Sequence, residues 1–132
     1  MKYKQIIFDI DGTLIDTEYA VLHSLQDTLR TITGRERPVD ELTFALGITG
    51  ADALKRLEVE EVFSAIALWN ENMLQYADTM AVFDGIAEVL ETLSKWDLEM
   101  GIVTSKTKAE WEQDFCPFGI DRYFKTVVCA DD

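Results

Sequence analysis

Histidine occurs once and cysteine twice in the 132 residues, and lysine and arginine together number 12 against 25 acidic residues. Each scarcity excludes something. Cys116 and Cys129 lie in apolar surroundings, DFCPF and VVCAD, without metal-ligand spacing. They are expected as small buried thiols in a reducing compartment. The net charge of −13 repels nucleic-acid phosphates, and no Lys/Arg cluster offsets it, so nucleic acid is not an expected partner. A small phosphorylated ligand is still allowed, because a local metal ion overrides the global field at short range. No apolar stretch approaches the roughly 20 residues of a membrane helix, so no membrane partner is expected. The opening run MKYKQIIFDID reaches aspartates too early for a secretory signal, which makes a cytoplasmic location the expectation. Internal repeats and low-complexity tracts are also lacking. The lone His23 has no obvious catalytic partner and is expected to pack on a helix.

What is present suits a soluble globular chain, with 48% hydrophobic and 28% charged residues. Residues 3–8, YKQIIF, read as a short buried strand, and Asp11-Gly12-Thr13 breaks it. From Asp16 to Thr33, apolar residues recur at helical spacing up to a stop at Gly34. Short helices are predicted over Asp40–Leu46 and Ala51–Leu57, and a longer one from Val59 through Met73. After the Asp84-Gly85 turn come a helix (Ile86–Trp96), a strand (Glu99–Val103), a helix (Thr107–Phe115) and a last strand (Tyr123–Cys129). Alternating strands and helices imply an α/β fold with a parallel sheet. Residues 16–80 are too long for a simple crossover and read as a helical insertion. With three strands visible, the sheet looks incomplete against the roughly 5–6 strands of a typical one.

Asp9 and Asp11 stand two apart at the carboxyl end of the first strand, so both face one side. That end of a parallel sheet is where ligands bind. Two adjacent carboxylates call for a cation or a shared proton. Magnesium fits, being held by one or two carboxylates plus waters and a substrate phosphate. Gly12 permits the sharp turn, and Thr13 can tie it.

FDIDGTLIDT resembles the first motif of the haloacid dehalogenase-like (HAD) hydrolases, particularly the phosphoglycolate phosphatase and β-phosphoglucomutase branch. The resemblance implies a Rossmann-like core from residues 1–15 and 81–132, with 16–80 as a helical cap that closes over the pocket and excludes water. It implies an Mg2+-dependent phosphatase acting on a small phosphorylated metabolite. Asp9 would be the nucleophile, forming an aspartyl-phosphate. Asp11 would be the acid that protonates the leaving oxygen and the base that activates water. Both would contribute to the metal, Asp9 through its carboxylate and Asp11 through its main-chain carbonyl. Thr104 and Ser105, after the strand GIV, match the second motif and with Gly12 would form the phosphate-binding set. A threonine there is otherwise a helix N-cap candidate.

Other candidates are weaker. The segment GITGADALKRL resembles the cap loop that meets the leaving group, with Thr49, Gly50 and Arg56 as contacts; a turn followed by a solvated helix competes and is preferred. Trp69, Trp96 and Trp111 are expected as packing residues. Lys106 and Lys108 read as solvated lysines at a helix start.

The family pattern continues with a third motif that supplies a lysine and a fourth that supplies further metal-binding aspartates; the 132 residues contain neither. A carboxylate and a phosphate about 4 Å apart repel by roughly 4 kcal/mol at an effective dielectric of about 20. Losing one compensating cation on that scale slows chemistry about a thousandfold. The chain is therefore expected to be a truncated, poorly active phosphatase. The alternatives are a non-enzymatic module that binds a partner or self-associates through an exposed sheet edge, and a sugar phosphomutase using the same aspartates.

Overall fold

Three short apolar runs form the sheet that carries the two motifs. The computed structural model describes residues 4–132, so Tyr3, at the start of the first predicted strand, lies outside the described residues. In chain order, β1 (Gln5–Phe8) and β2 (Ile15–Asp16) precede the helices α1 (Glu18–Thr33), α2 (Gly50–Arg56) and α3 (Val62–Met73). Then follow β3 (Ala81–Val82), α4 (Ile86–Ser94), β4 (Glu99–Val103), α5 (Lys108–Asp114) and β5 (Thr126–Val128). The chain divides into two compact units, one from residues up to Asp16 together with Ala81–Asp132, the other from Thr17–Met80.

In the first unit the sheet order is β1-β4-β5, and both neighbouring pairs are parallel, with Phe8 opposite Ile102 and Val103 opposite Val128. Alternation along the strands gives the sheet two unlike faces. Met100 and Ile102 are buried, as are Leu90, Phe115, Ile120 and Phe124 from the connecting segments. Phe8 meets Phe124 edge-on with ring centres 5.8 Å apart, and Phe115 lies 6.2 Å from Phe124. Such pairs add about 1 kcal/mol beyond their buried area. The opposite face is open: Ile7, Val103 and Val128 are 55%, 51% and 43% exposed. Gly101 sits on that face because a Cβ there would meet the Ile7 side chain at 3.1 Å and the Thr126 carbonyl at 3.2 Å. A pairing that sequence periodicity does not foretell joins β2 and β3 antiparallel, Ile15 opposite Val82 and Asp16 opposite Ala81. The chain leaves this unit after Asp16 and re-enters at Ala81, so the two short strands clamp the ends of the insertion together.

The second unit is helical. The buried stripe of α1 (Ala20, Leu22, Ser24, Leu25, Thr28, Leu29) packs with Ala65, Trp69 and Met73 of α3. Its two hydroxyls are satisfied. Ser24 Oγ donates to the Val21 carbonyl and accepts from Trp69 Nε1 at 2.9 Å, while Thr28 Oγ1 donates to the Ser24 carbonyl and accepts from Asn72 Nδ2 at 3.0 Å. Gly34 stops α1 in the left-handed region at φ 73°, its N–H reaching the Arg30 carbonyl. The predicted helix over 40–46 is a 3-10 segment, Val39–Ala45, and another, Leu74–Thr79, follows α3. No helix among the described residues is long and apolar enough to cross a membrane.

Candidate active site

The turn after β1 folds around one residue. Ile10 is fully buried, and its carbonyl accepts from the N–H groups of Thr13 (3.1 Å), Leu14 (2.9 Å) and Ile15 (3.1 Å). Gly12 donates to the Ile15 carbonyl at 2.9 Å from a backbone with φ 79°. Leu14 and Ile15 are fully buried as well, so the turn is anchored on both sides of the glycine. Asp9 and Asp11, flanking Ile10, are left exposed and half-buried respectively. The Ile10 N–H donates to Asp9 Oδ1 at 2.7 Å.

Thr104 follows the last residue of β4 and is 6% exposed. Its N–H donates to the Val128 carbonyl at 3.0 Å, and its Oγ1 accepts the Lys106 N–H at 3.1 Å. It is not the helix cap: Thr107 holds that position, in a reciprocal box with Glu110 at 3.2 and 2.9 Å. Ser105 is half-buried. Because β1 and β4 run parallel, the Asp9–Asp11 turn and Thr104–Ser105 share the carboxyl edge of the sheet.

Lys106 departs from expectation. It is 7% exposed rather than solvated, with its ammonium 3.0 Å from Asp114 Oδ2 and 3.3 Å from Asp11 Oδ1. Burial alone would lower its pKa, but the Asp11 and Asp114 carboxylates offset that and hold it above the ordinary lysine value. At an effective dielectric of about 20, each pair is worth roughly 5 kcal/mol of attraction, enough to balance the several kcal/mol of desolvation per ion. Asp114, 5% exposed, also accepts from Gln113 Nε2 at 3.2 Å. Asp114 did carry a signal in the sequence, as an acid beside Trp111 and Phe115 on the apolar side of a predicted helix. Lys108 is exposed as expected, its N–H donating to Asp131 Oδ1 at 2.9 Å.

The remaining candidates have ordinary roles. Thr49 caps α2, its Oγ1 accepting the Asp52 N–H at 3.1 Å; Gly50 is the first residue of that helix, and Arg56 is exposed. His23 stacks on Tyr19 with ring centres 3.8 Å apart. Trp69 is buried packing, whereas Trp96 is 49% exposed, against expectation. Trp111 is half-buried and its Nε1 has no hydrogen-bond partner among the described residues. Cys129 is buried and Cys116 half-buried; burial, aided by nearby carboxylates, pushes both thiols above their ordinary pKa.

For a metal, the protein offers carboxylate and main-chain oxygens at the β1 turn. No group of three or more His, Cys, Asp or Glu side chains gathers into a metal cluster among the described residues. Hard oxygen donors in small number fit magnesium, which keeps several waters and takes the rest of its shell from substrate phosphate.

Residues 6–132 match the family model of the haloacid dehalogenase-like hydrolases. The pyrophosphatase PpaX of Halalkalibacterium halodurans is 27% identical over 133 residues, covering 100% of this chain and 62% of that protein. A second protein given the PpaX name, from Clostridium perfringens, is 29% identical over 97% of this chain and 60% of its own length. Among solved structures, a candidate phosphoglycolate phosphatase from Lactobacillus plantarum superposes with a TM-score of 0.87 at 26% identity, covering 100% of this chain and 64% of that one. The chain thus spans about three-fifths of the length of these relatives.

Proposed function

Since the chain belongs to the haloacid dehalogenase-like hydrolases, we propose that it carries the nucleophile half of a phosphatase site for a small phosphate monoester. The observation that carries this reading is the shared edge of two adjacent parallel strands, with Asp9 and Asp11 after β1 and Thr104 after β4. Asp9, exposed at the turn, attacks phosphorus, forming an aspartyl-phosphate as the bond to the leaving oxygen breaks. Asp11 gives that oxygen a proton, then takes one from the water that hydrolyses the intermediate, returning Asp9 and releasing phosphate. The Thr104 hydroxyl and the Ser105 N–H hold phosphoryl oxygens, and Gly12 keeps the turn open to them. The Asp9 carboxylate and the Asp11 carbonyl would hold magnesium, which supplies charge compensation for the phosphate. The first unit serves as the Rossmann-like core and Thr17–Met80 as the helical cap.

Turnover is expected to be slow, because the buried cation nearest Asp11 is already shared between two carboxylates. Pyrophosphate and phosphoglycolate, which the relatives' names indicate, are the first substrates to try beside 4-nitrophenyl phosphate. Slow magnesium-dependent phosphate release, lost in Asp9→Asn, is the expected result; release that survives the substitution overturns the reading.

The open sheet face bearing Ile7, Val103 and Val128 suits self-association, which does not compete with catalysis for any residue at the β1 turn.

A further inference from the structure

Lys106 is a buried charged group at the sheet edge that takes no direct part in the proposed reaction. Its backbone is pinned on both sides, the N–H to Thr104 Oγ1 at 3.1 Å and the carbonyl by the Ala130 N–H at 2.7 Å. Its ammonium is buried and lies between two carboxylates from different elements, Asp114 on α5 and Asp11 on the β1 turn. Asp114 is fixed in turn: Oδ2 is taken by Lys106 and Oδ1 by Gln113. The pair is therefore not a mobile surface contact. It is a rigid arm from α5 ending on the carboxylate that must meet the leaving oxygen.

We propose that Lys106 is a positioning residue for Asp11, with Asp114 as its anchor. The inference rests on the reading of Asp11 as acid and base. A proton donor must lie within hydrogen-bond reach of the oxygen it protonates, and a displacement of about 1 Å costs on the order of a hundredfold. The turn around Ile10 fixes the Asp11 backbone, and Lys106 fixes the carboxylate. One positive charge shared between two negative ones leaves no surplus for a phosphoryl group. Lys106 accordingly orients the acid and is not a phosphate-binding cation.

The test uses the full chain with Lys106→Met, which keeps length and removes charge, and Asp114→Asn, which leaves Lys106 in place and loosens its anchor. The side-chain carboxyl carbon of Asp11, labelled with 13C and assigned with Asp11→Asn, is expected to shift in both variants while the amide spectrum away from the site is retained. Asp114→Asn is the more telling, since Asp114 makes its ion pair with the Lys106 ammonium that also meets Asp11. This signal needs no turnover. In hydrolysis, Lys106→Met is expected to slow an alkyl phosphate such as glycerol phosphate about a hundredfold and 4-nitrophenyl phosphate, whose leaving group needs little protonation, less than about tenfold. KM for both stays within about twofold, because ground-state binding is untouched.

An Asp11 signal unmoved in both variants overturns the proposal, as does an equal loss on both substrates or a loss confined to KM. Failure of the phosphatase reading looks different. Hydrolysis would then be indifferent to Asp9→Asn, while the Asp11 signal could still respond to Lys106.

Discussion

At Gly12 the backbone takes φ 79°, and beyond its chain neighbours no atom of the described residues lies within 4 Å of where a Cβ would stand. The glycine is needed for its conformation and not for space. Gly12→Ala is thus expected to cost about 1–2 kcal/mol, the penalty of a left-handed L-residue, and Gly12→Asn less, since asparagine tolerates that region. Urea midpoints with an unchanged slope would check both; equal losses would point to crowding instead. The same turn shows what a sequence discloses at this scale. Asp9, Asp11 and Thr104 are legible because residue type and distance from a strand end suffice to place them. Lys106 is not, because TSKTK offers two lysines, and only the tertiary position of Asp114, eight residues on, turns the first inward.

Between α1 and α3 the polar contacts run as a ladder: Ser24 with Trp69, Thr28 with Asn72, and Asp27 with the Tyr76 hydroxyl just beyond α3. Trp69→Phe removes the buried donor and part of a core ring, and is expected to cost about 2 kcal/mol by chemical denaturation. The Asp27 hydrogen bond pushes the Tyr76 phenol up from 10.0 to about 12. The neutral phenol is the form that donates, so its contribution is complete below pH about 10 and lost as pH rises through about 12. That rise corresponds to about 3 kcal/mol at most, which solvent screening at this part-exposed site reduces to about 1 kcal/mol. Wild type should therefore exceed Tyr76→Phe by about 1 kcal/mol at pH about 9, and the gap should close near pH 12; a constant gap would show that the hydroxyl is not linked to folding. The apolar stripes of both helices were legible from spacing, and the β4 bounds agree residue for residue. The β2–β3 clamp was not, because two residues per strand carry no periodicity and their pairing joins positions 65 or more apart. The last strand is shorter than predicted: Tyr123 lies in the 3-10 turn Asp121–Tyr123, and the ladder with β4 covers Thr126–Val128.

Over the whole molecule two features oppose each other. The net charge of −13 makes copies of the chain repel, while β1 and β5 each pair on one side only among the described residues and the sheet face with Ile7, Val103 and Val128 stays open. Unpaired edges and contiguous apolar faces promote association. The repulsion reaches about 30 Å at 0.01 M salt and about 8 Å at 0.15 M, whereas the apolar attraction is unaffected by such dilute salt. Association should thus be switched by ionic strength. Sedimentation is expected to give the monomer mass near 0.01 M salt and a rising average mass above about 0.15 M. Val103→Lys places a charge at the centre of the open face, on a side chain already half exposed, where association would have to desolvate it, and should hold the chain monomeric throughout without lowering its stability by more than about 0.5 kcal/mol. A wild-type mass indifferent to salt would remove the sheet face as an interaction surface.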